Sequence, residues 1–221
     1  MTLSAFAQMR ALAEGLDRID VEVYRAAGRD PLEPIFGGGP ADAPVAVMGR
    51  DPGRHEVVHG MPFIGAGGQK VREALYEVVH GAPMPGFDAS VQIGERLFWA
   101  NTVPYKPVGN KAWSAKVRRA FRPLIADLLV HTWRGQDVLA LGREAVYWFA
   151  STRDERAAVD AFWARSDRYE GSIQLPVTAL DGTERVLRVH PVPHPSPLNA
   201  TWAPKVPALL RARFRALGFG G

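Results

Sequence analysis

Cysteine is missing from this chain of 221 residues, and its absence removes several kinds of chemistry. Without a thiol there is no disulfide, no cysteine-ligated zinc, no iron–sulfur cluster and no cysteine nucleophile. Apolar runs are short as well, and none approaches the ~20 consecutive apolar residues of a membrane helix. The first residues lack the basic stretch and the long apolar stretch of a secretion signal. We therefore expect a cytoplasmic protein that does not cross a membrane.

Acidic residues are outnumbered by basic ones, 23 against 27, and most of the basic residues are arginines. The isoelectric point is near 9.6. An arginine guanidinium can bind a phosphate through two parallel hydrogen bonds, so a modest positive excess suits a nucleic-acid partner. Many basic proteins bind no polyanion, however. The composition permits a nucleic-acid ligand without requiring one.

Short buried strands alternate with helices along the chain. Apolar runs at 45–48, 97–100 and 137–141 predict strands, and a hairpin around Asp181-Gly182 joins predicted strands at 173–179 and 185–189. The apolar spacing predicts helices over 3–24, 67–80, 113–133 (interrupted or kinked near Pro123), 143–150, 154–165 and 201–217. This alternation predicts an α/β fold of three layers, α/β/α, around a mostly parallel four-stranded sheet.

No composition shift marks a domain boundary. We expect one domain over residues 1–221, with an N-terminal helix in 1–25 and a core over 45–217. In such sheets ligands bind at the carboxyl ends of the strands. That edge would hold three segments rich in polar residues, glycine and proline: the first segment (49–65), the second segment (101–111) and the third segment (190–202).

The first segment contains His55-Glu56-Val57-Val58-His59, which matches the H-E-x-x-H pattern of zinc proteases. That pattern needs a long helix to bring both histidines to one face. Pro52-Gly53 before it and Gly60-Met61-Pro62 after it leave at most two turns. We reject a metal site here and expect an exposed loop whose His and Glu side chains face solvent or phosphate. A zinc hydrolase is kept as an alternative that metal analysis would decide.

Together the three segments resemble the uracil-DNA glycosylase superfamily. The first carries Gly49-Arg50-Asp51-Pro52-Gly53 and Gly60-Met61-Pro62-Phe63-Ile64-Gly65, with the spacing of family 4 of that superfamily. The second, from Asn101-Thr102-Val103-Pro104-Tyr105-Lys106, resembles the strand-end Asn segment of family 4. The third carries His194-Pro195-Ser196-Pro197-Leu198, which is similar to a loop of family 1. The resemblance runs from about Leu32 to the C-terminus.

Two departures from family 4 bear on the site. Members of family 4 hold an iron–sulfur cluster on four cysteines, whereas the matching positions here include Tyr105 and Phe121. We expect no cofactor and expect apolar or aromatic packing in the cluster's place. Asp51 stands where family 4 has Ala, and it matches the catalytic Asp of family 1. The catalytic set is thus mixed between the two families.

The resemblance implies roles for individual residues. Asp51 and His194 would be catalytic, Asp51 by stabilising the cationic sugar and orienting water, and His194 by donating to the departing base. Phe63 would stack on the base and Asn101 would bind its polar edge. Each has a structural alternative: Asp51 could cap a turn, Phe63 and His194 could belong to the core, and Asn101 could satisfy backbone groups at a strand end. The remaining substrate-binding positions are Gly49, Arg50, Pro52 and Gly53.

The same resemblance implies that DNA is the partner. Leu198, on the stiff Pro195-Ser196-Pro197 loop, would fill the space that a flipped base leaves in the duplex. The DNA-binding residues would be Gly65, Lys106, Lys111, Ser196, Pro197, Leu198, Asn199 and Lys205. We expect a monomeric glycosylase acting on uracil or a related deaminated base. The alternative is a catalytically weak or silent DNA-binding relative, which the mixed motifs also allow.

Overall fold

The computed structural model describes residues 3–195 and 199–220, and within them one five-stranded sheet forms the centre of the fold. The strands are β1 (Val45–Gly49), β2 (Phe98–Asn101), β3 (Asp137–Leu141), β4 (Ile173–Thr178) and β5 (Glu184–Val192). Their order is β2-β1-β3-β5-β4, with β4 antiparallel and the other neighbours parallel. The predicted α/β class and mostly parallel sheet are confirmed. The predicted count of four strands is wrong, because the hairpin strand β4 adds a fifth.

Helices cover both faces of this sheet. The described helices are α1 (Leu3–Glu14), α2 (Val21–Ala26), α3 (Arg54–His59), α4 (Ala66–His80), α5 (Phe87–Gly94), α6 (Ala115–Asp127), α7 (Arg143–Trp148), α8 (Arg153–Trp163) and α9 (Val206–Ala216). One face packs against α1, α6, α7 and α8, and the other against α4, α5 and α9. None of these helices has the length and hydropathy of a membrane span.

Alternate residues of each strand enter opposite cores, as the pleat of a strand requires. In β1, Ala46 and Met48 face the α6 side, whereas Val45 and Val47 face the α4 side. All four side chains are at most 1% exposed. Because both faces are buried, the strand is a continuous apolar run, which is why its position could be predicted from sequence.

The two outer edges of the sheet are occupied differently. At the β2 edge, Gly38 and Trp99 exchange two backbone hydrogen bonds of 2.8 Å, so the loop around Gly38 covers the strand. At the β4 edge, Pro176 lies in the middle of the strand, opposite Val186 of β5. Proline lacks an N–H group and is therefore confined to edge strands such as this one.

The N-terminal segment forms two helices rather than the single helix predicted over 3–24. The turn between α1 and α2 positions Ile19 to bridge to Pro107, and Asp20 pairs with Lys106 at 2.7 Å. Tyr24 of α2 is fully buried, and its hydroxyl oxygen accepts from the Lys106 N–H. These long-range contacts interrupt a helix whose apolar spacing continues without a break.

Two other elements differ from expectation. The first segment contains a short helix, α3, where an exposed loop is expected. Helix α6 continues through Pro123 without the predicted interruption, and a π-helical turn (Leu128–Thr132) follows it. Phe121, Leu124 and Ile125 are buried beside the proline, and this packing holds the helix together around the missing N–H.

Candidate active site

The first and second segments meet where β1 and β2 end. Gly49 and Asn101 are paired in register, and the ladder continues beyond both strands. The N–H of Thr102 donates to the Gly49 carbonyl at 2.9 Å, and the N–H of Val103 donates to the Arg50 carbonyl at 3.1 Å. The Thr102 hydroxyl also donates to the Arg50 carbonyl. The backbone on either side of Asp51 is thereby held against the second segment.

Gly49 brings together two of the predicted substrate-binding side chains. A Cβ placed on Gly49 would lie 2.6 Å from the Phe63 ring and 2.9 Å from Oδ1 of Asn101. The ring and the amide therefore both rest against the Gly49 Cα, which only glycine permits. Asn101 is 4% exposed. The predicted grouping of Gly49, Phe63 and Asn101 is what the structure shows, although their roles stay a prediction.

Phe63 occupies an unusual backbone conformation, with φ of 54°. This left-handed conformation is energetically unfavourable for residues other than glycine, and it persists where surrounding contacts stabilise it. The Phe63 carbonyl accepts from Nε of the buried Arg72 at 3.1 Å, and Gly68 lets α4 approach that carbonyl closely. The ring centre is 4.9 Å from that of Trp99. The aromatic side chain is therefore held firmly beside the end of β1.

Asp51 follows on the same turn, and its side chain is only 4% exposed. The Arg50 Nε donates to one carboxylate oxygen at 2.9 Å. Burial raises the pKa of Asp51 to about 6, while the Arg50 charge and hydrogen bond lower it in part. A buried carboxylate that still ionises near neutral pH is typical of catalytic sites as well as of some structural ion pairs. Pro52 and Gly53 continue the turn into α3.

Arg50 makes contacts that its predicted role in substrate binding does not describe. Its guanidinium donates to the Asn110 carbonyl at 2.8 Å and lies 3.6 Å from Glu144 of α7. Glu144 in turn pairs with Arg118 of α6 at 3.4 Å. Arg50 therefore connects Asp51 to Asn110, to α7 and, through Glu144, to α6. These contacts orient the Asp51 carboxylate.

His194 of the third segment reaches the same edge of the sheet. A Cβ placed on Gly142, just after β3, would lie 3.1 Å from the Cβ of His194. Desolvation, followed by the charge of Arg50, lowers the pKa of His194 and so favours its neutral imidazole. His194 as a whole residue is nonetheless exposed. The charges of Arg50 and Glu144 thus act on both Asp51 and His194.

Pro195, which follows His194, lies beside the start of α4. The ring of Pro195 lies 3.3 Å from a Cβ placed on Gly67, in the first turn of α4. Asn199 donates to the His194 carbonyl at 3.2 Å. The predicted DNA-binding residues Ser196, Pro197 and Leu198 lie outside the described residues. His190, four residues before His194, instead pairs with Asp137 at 2.7 Å inside the sheet.

Glu56 connects the two halves of the first segment, and its side chain is buried instead of facing solvent. One carboxylate oxygen accepts from the Gly53 N–H at 2.9 Å and the other from the Gly65 N–H at 2.8 Å. Sequence reasoning missed this role, although a Glu three residues after a helix start is a known capping signal. Gly65, predicted to bind DNA, has its N–H committed to this bond.

The two histidines of the H-E-x-x-H pattern are exposed on α3. The Glu between them already accepts hydrogen bonds from two backbone N–H groups. His59 stacks near Phe87, with ring centres 5.3 Å apart. Within residues 3–195 and 199–220, no cluster of three or more His, Asp or Glu side chains is placed to hold a metal ion.

The predicted phosphate-binding lysines do not behave alike. Lys106 is 4% exposed and its ammonium pairs with Asp20, so it cannot reach a DNA phosphate. That prediction is wrong, because the chain buries this lysine under α2. Lys111 and Lys205 are exposed. The Lys205 ammonium lies 5.2 Å from the centre of the Trp202 ring.

Tyr105 and Phe121, where we expected apolar or aromatic packing, hold packed rings. Tyr105 and Phe121 are both fully buried, with ring centres 5.7 Å apart. The Tyr105 hydroxyl donates to the Leu32 carbonyl, and its own carbonyl accepts from the Trp113 indole. Aromatic packing, as expected, ties the second segment to α6.

The carboxyl edge of this α/β sheet thus brings together a buried carboxylate, an imidazole, an aromatic ring and an amide. In folds of this class ligands bind at that edge, beyond the ends of the strands. The family model described as the uracil DNA glycosylase superfamily matches residues 36–218, and the chain belongs to this superfamily. Its members are glycosylases, hydrolases that act on DNA. No curated protein matches the chain.

Proposed function

We propose that the chain is a monofunctional DNA glycosylase that releases uracil, or a related deaminated base, from DNA. The convergence at the end of β1 carries this proposal: Phe63 and Asn101 both rest on Gly49, and the buried Asp51 follows two residues later. A ring and an amide edge suit a planar base with polar atoms on one side. Within the superfamily we place the chain nearest family 4, with an Asp and a third segment like those of family 1.

The reaction breaks the bond between C1′ of the sugar and the ring nitrogen of the base. The bonding electrons leave with the base, positive charge develops on the sugar as in other glycoside cleavages, and water adds to C1′. Ionised Asp51 stabilises the cationic sugar and orients the water. Neutral His194 donates a hydrogen bond to the anionic oxygen of the base. Groups preorganised for such charges supply the largest part of many rate enhancements.

Base selection falls to Asn101. Its amide oxygen accepts from the N3–H of uracil while its NH₂ group donates to O4. Cytosine presents an amino group at the second position, which would face the amide NH₂. Because the Asn101 amide is buried against Gly49, a reversed orientation is costly. The base reaches this edge only after it has left the duplex.

The test is base release from single- and double-stranded oligonucleotides that contain uracil, followed by cleavage of the abasic site with hot alkali. We expect cleavage by the wild type and a loss of about 100-fold or more with Asp51→Asn. Asp42→Asn, which removes an exposed carboxylate, is the matched control and should retain activity. Borohydride should trap no covalent product, since no lysine is assigned to the chemistry.

Absence of cleavage with uracil, hypoxanthine and xanthine alike would contradict the proposal. If DNA binding persisted in that event, the chain would be the catalytically silent relative.

A further inference from the structure

A second concave surface lies on the α6 side of the sheet, apart from the residues that surround Gly49. It is bounded by α6, α7 and the start of α8, and its volume is about 880 Å³. We call it the arginine groove, after the five arginines that line it: Arg118, Arg119, Arg122, Arg143 and Arg156. No motif of the sequence pointed to this surface, because its residues come from three separate helices.

The groove carries more positive charge than its own carboxylates can balance. It has five guanidinium groups and two carboxylates, Glu144 and Asp160. Glu144 is shared by Arg50 and Arg118, and Asp160 accepts from the Tyr147 hydroxyl. Within the described part of the chain, the other four arginines of the groove form no ion pair with a carboxylate. An anion from outside the chain would complete this surface.

Aromatic rings of the groove wall hold three of these arginines in place. The guanidinium of Arg122 lies 5.1 Å from the centre of the Trp148 ring, and its Nε donates to the Trp148 carbonyl at 3.2 Å. The guanidinium groups of Arg143 and Arg156 lie 4.3 and 5.7 Å from the centre of the Tyr147 ring. Donors that are already positioned lose less conformational freedom when they bind a ligand.

The groove is connected to the candidate active site through Glu144. This residue lines the groove and lies 3.6 Å from Arg50, which in turn binds Asp51 at 2.9 Å. A ligand that extends from Asp51 past Glu144 would reach the arginines of the groove. A single phosphate would engage one or two guanidinium groups and would leave most of the 880 Å³ empty. A chain of phosphates fits both the volume and the charge of the groove.

We propose that the arginine groove binds the sugar–phosphate backbone of the DNA strand that flanks the nucleotide held at Asp51. The assignment rests on the proposed function, since it takes DNA as the ligand. It adds a binding surface on α6, α7 and α8 to the three loop segments. The groove contributes affinity that depends on salt and not on base sequence, because it contacts phosphates alone.

The experiment uses the double variant Arg119→Ala/Arg156→Ala, since both residues are exposed and, among the described residues, neither forms an ion pair with a carboxylate. Its affinity for a fluorescent single-stranded 20-mer without uracil is measured by anisotropy between 50 and 200 mM salt. Loss of two phosphate contacts should lower the slope of log K against log salt by about 1.4 and weaken binding roughly tenfold. The matched control is Arg96→Ala/Arg215→Ala, two exposed arginines on or beside the α4 and α9 face, which should bind as the wild type does.

Base release separates this proposal from the proposed function. The groove variant should lose kcat/KM on a 20-mer with uracil but not on a trinucleotide, which is too short to reach the groove. Asp51→Asn should lose activity on both. If the wild type releases no base but the groove variant still shows the reduced salt slope, the proposed function is wrong and the groove assignment stands.

Two results would overturn the groove assignment. One is an unchanged salt slope and affinity in Arg119→Ala/Arg156→Ala while the wild type binds DNA. The other is binding of polyglutamate with the affinity of the 20-mer and the same loss in the double variant, which would make the groove a site for an acidic protein.

Discussion

The fold opposes the negative charge of the Asp51 carboxylate, because burial disfavours its ionised form. Its pKa of about 6 exceeds the value of 3.8 that an unfolded chain would give it. The folded protein therefore favours the protonated form, and ionisation at higher pH costs stability. This penalty is complete above pH 6 and absent below pH 3.8. A side chain kept ionised at such a cost is expected where the charge has a use.

Asp51→Asn should therefore stabilise the protein at pH 8 while it removes activity. The expected gain in the free energy of unfolding is about 1–3 kcal/mol at pH 8, from the size of the pKa shift. It should shrink through pH 6 and vanish near pH 4. Urea denaturation at these three pH values measures it, with Asp42→Asn as the control. A gain that is equal at pH 4 and pH 8 would show that packing, and not charge, is responsible.

Base release should depend on pH through the same group. Because ionised Asp51 is the active form, kcat/KM should rise with pH and level off above a midpoint of about 6. Arg50→Gln removes the charge that lowers this pKa and should move the midpoint to higher pH. Rates with a uracil oligonucleotide between pH 4.5 and 9 test both statements. An unmoved midpoint in Arg50→Gln would argue that another residue titrates.

Two residues that sequence reasoning did not assign, Glu56 and Arg72, hold the first segment in shape. Asp51, Phe63 and Asn101 could be located from sequence, because their segments follow predicted strands and resemble motifs of the superfamily. The tasks of Glu56 and Arg72 depend on how a loop folds back on itself, which apolar spacing does not reveal. Glu56 alone carried a local signal, its distance from Gly53 at the start of α3.

Glu56→Gln should separate the two parts of the loop that this side chain joins. The oxygen of the Gln amide still accepts from one backbone N–H. Its NH₂ group then faces the second backbone N–H, which loses its acceptor. Leaving a buried donor unpaired costs about 1–3 kcal/mol. We expect a loss of that size in urea denaturation and a lower kcat/KM. Glu73→Gln, on the exposed side of α4, is the control, and equal stability of the two variants would refute a bracing role.

Helix α2 depends on Lys106 in a similar way. Lys106→Met leaves Asp20 without its partner in a largely buried position, and we expect a loss of about 1–3 kcal/mol. DNA affinity of the folded variant should be unchanged. Lys111→Met, five residues further on and exposed, should do the reverse: near-normal stability and weaker DNA binding. Anisotropy and urea denaturation of both variants distinguish a structural lysine from a phosphate-binding one.

Elements differed in how well their bounds could be predicted. Strands β1 and β3 were predicted to within one residue, because each is an apolar run that a glycine ends. The break between α1 and α2 could not be predicted, because the bridge from Ile19 to Pro107 joins residues that are far apart in sequence. Strand β5 extends to Val192, beyond the predicted hairpin, because β3 continues to pair with it after β4 has ended.

For the molecule as a whole, the family match begins at residue 36 but the packed fold begins earlier. Met9 and Tyr24 are fully buried in the α6-side core. A chain that starts at Leu32 would expose the partners of both side chains. We expect its melting temperature to fall by about 10 °C or more, from the loss of several kcal/mol of packing. Calorimetry of both chains measures this, and equal melting temperatures would show that α1 and α2 are dispensable.

The proline in β4 and the loop over β2 have a joint effect on how copies of the protein meet. An open sheet invites further strands from other molecules, which is the first step towards fibres. Here a strand that approaches the β4 edge meets Pro176, which has no N–H to donate. A strand that approaches the β2 edge meets Trp99, whose backbone is already hydrogen-bonded to Gly38. Concentrated solutions should accordingly stay clear and free of amyloid-type aggregates.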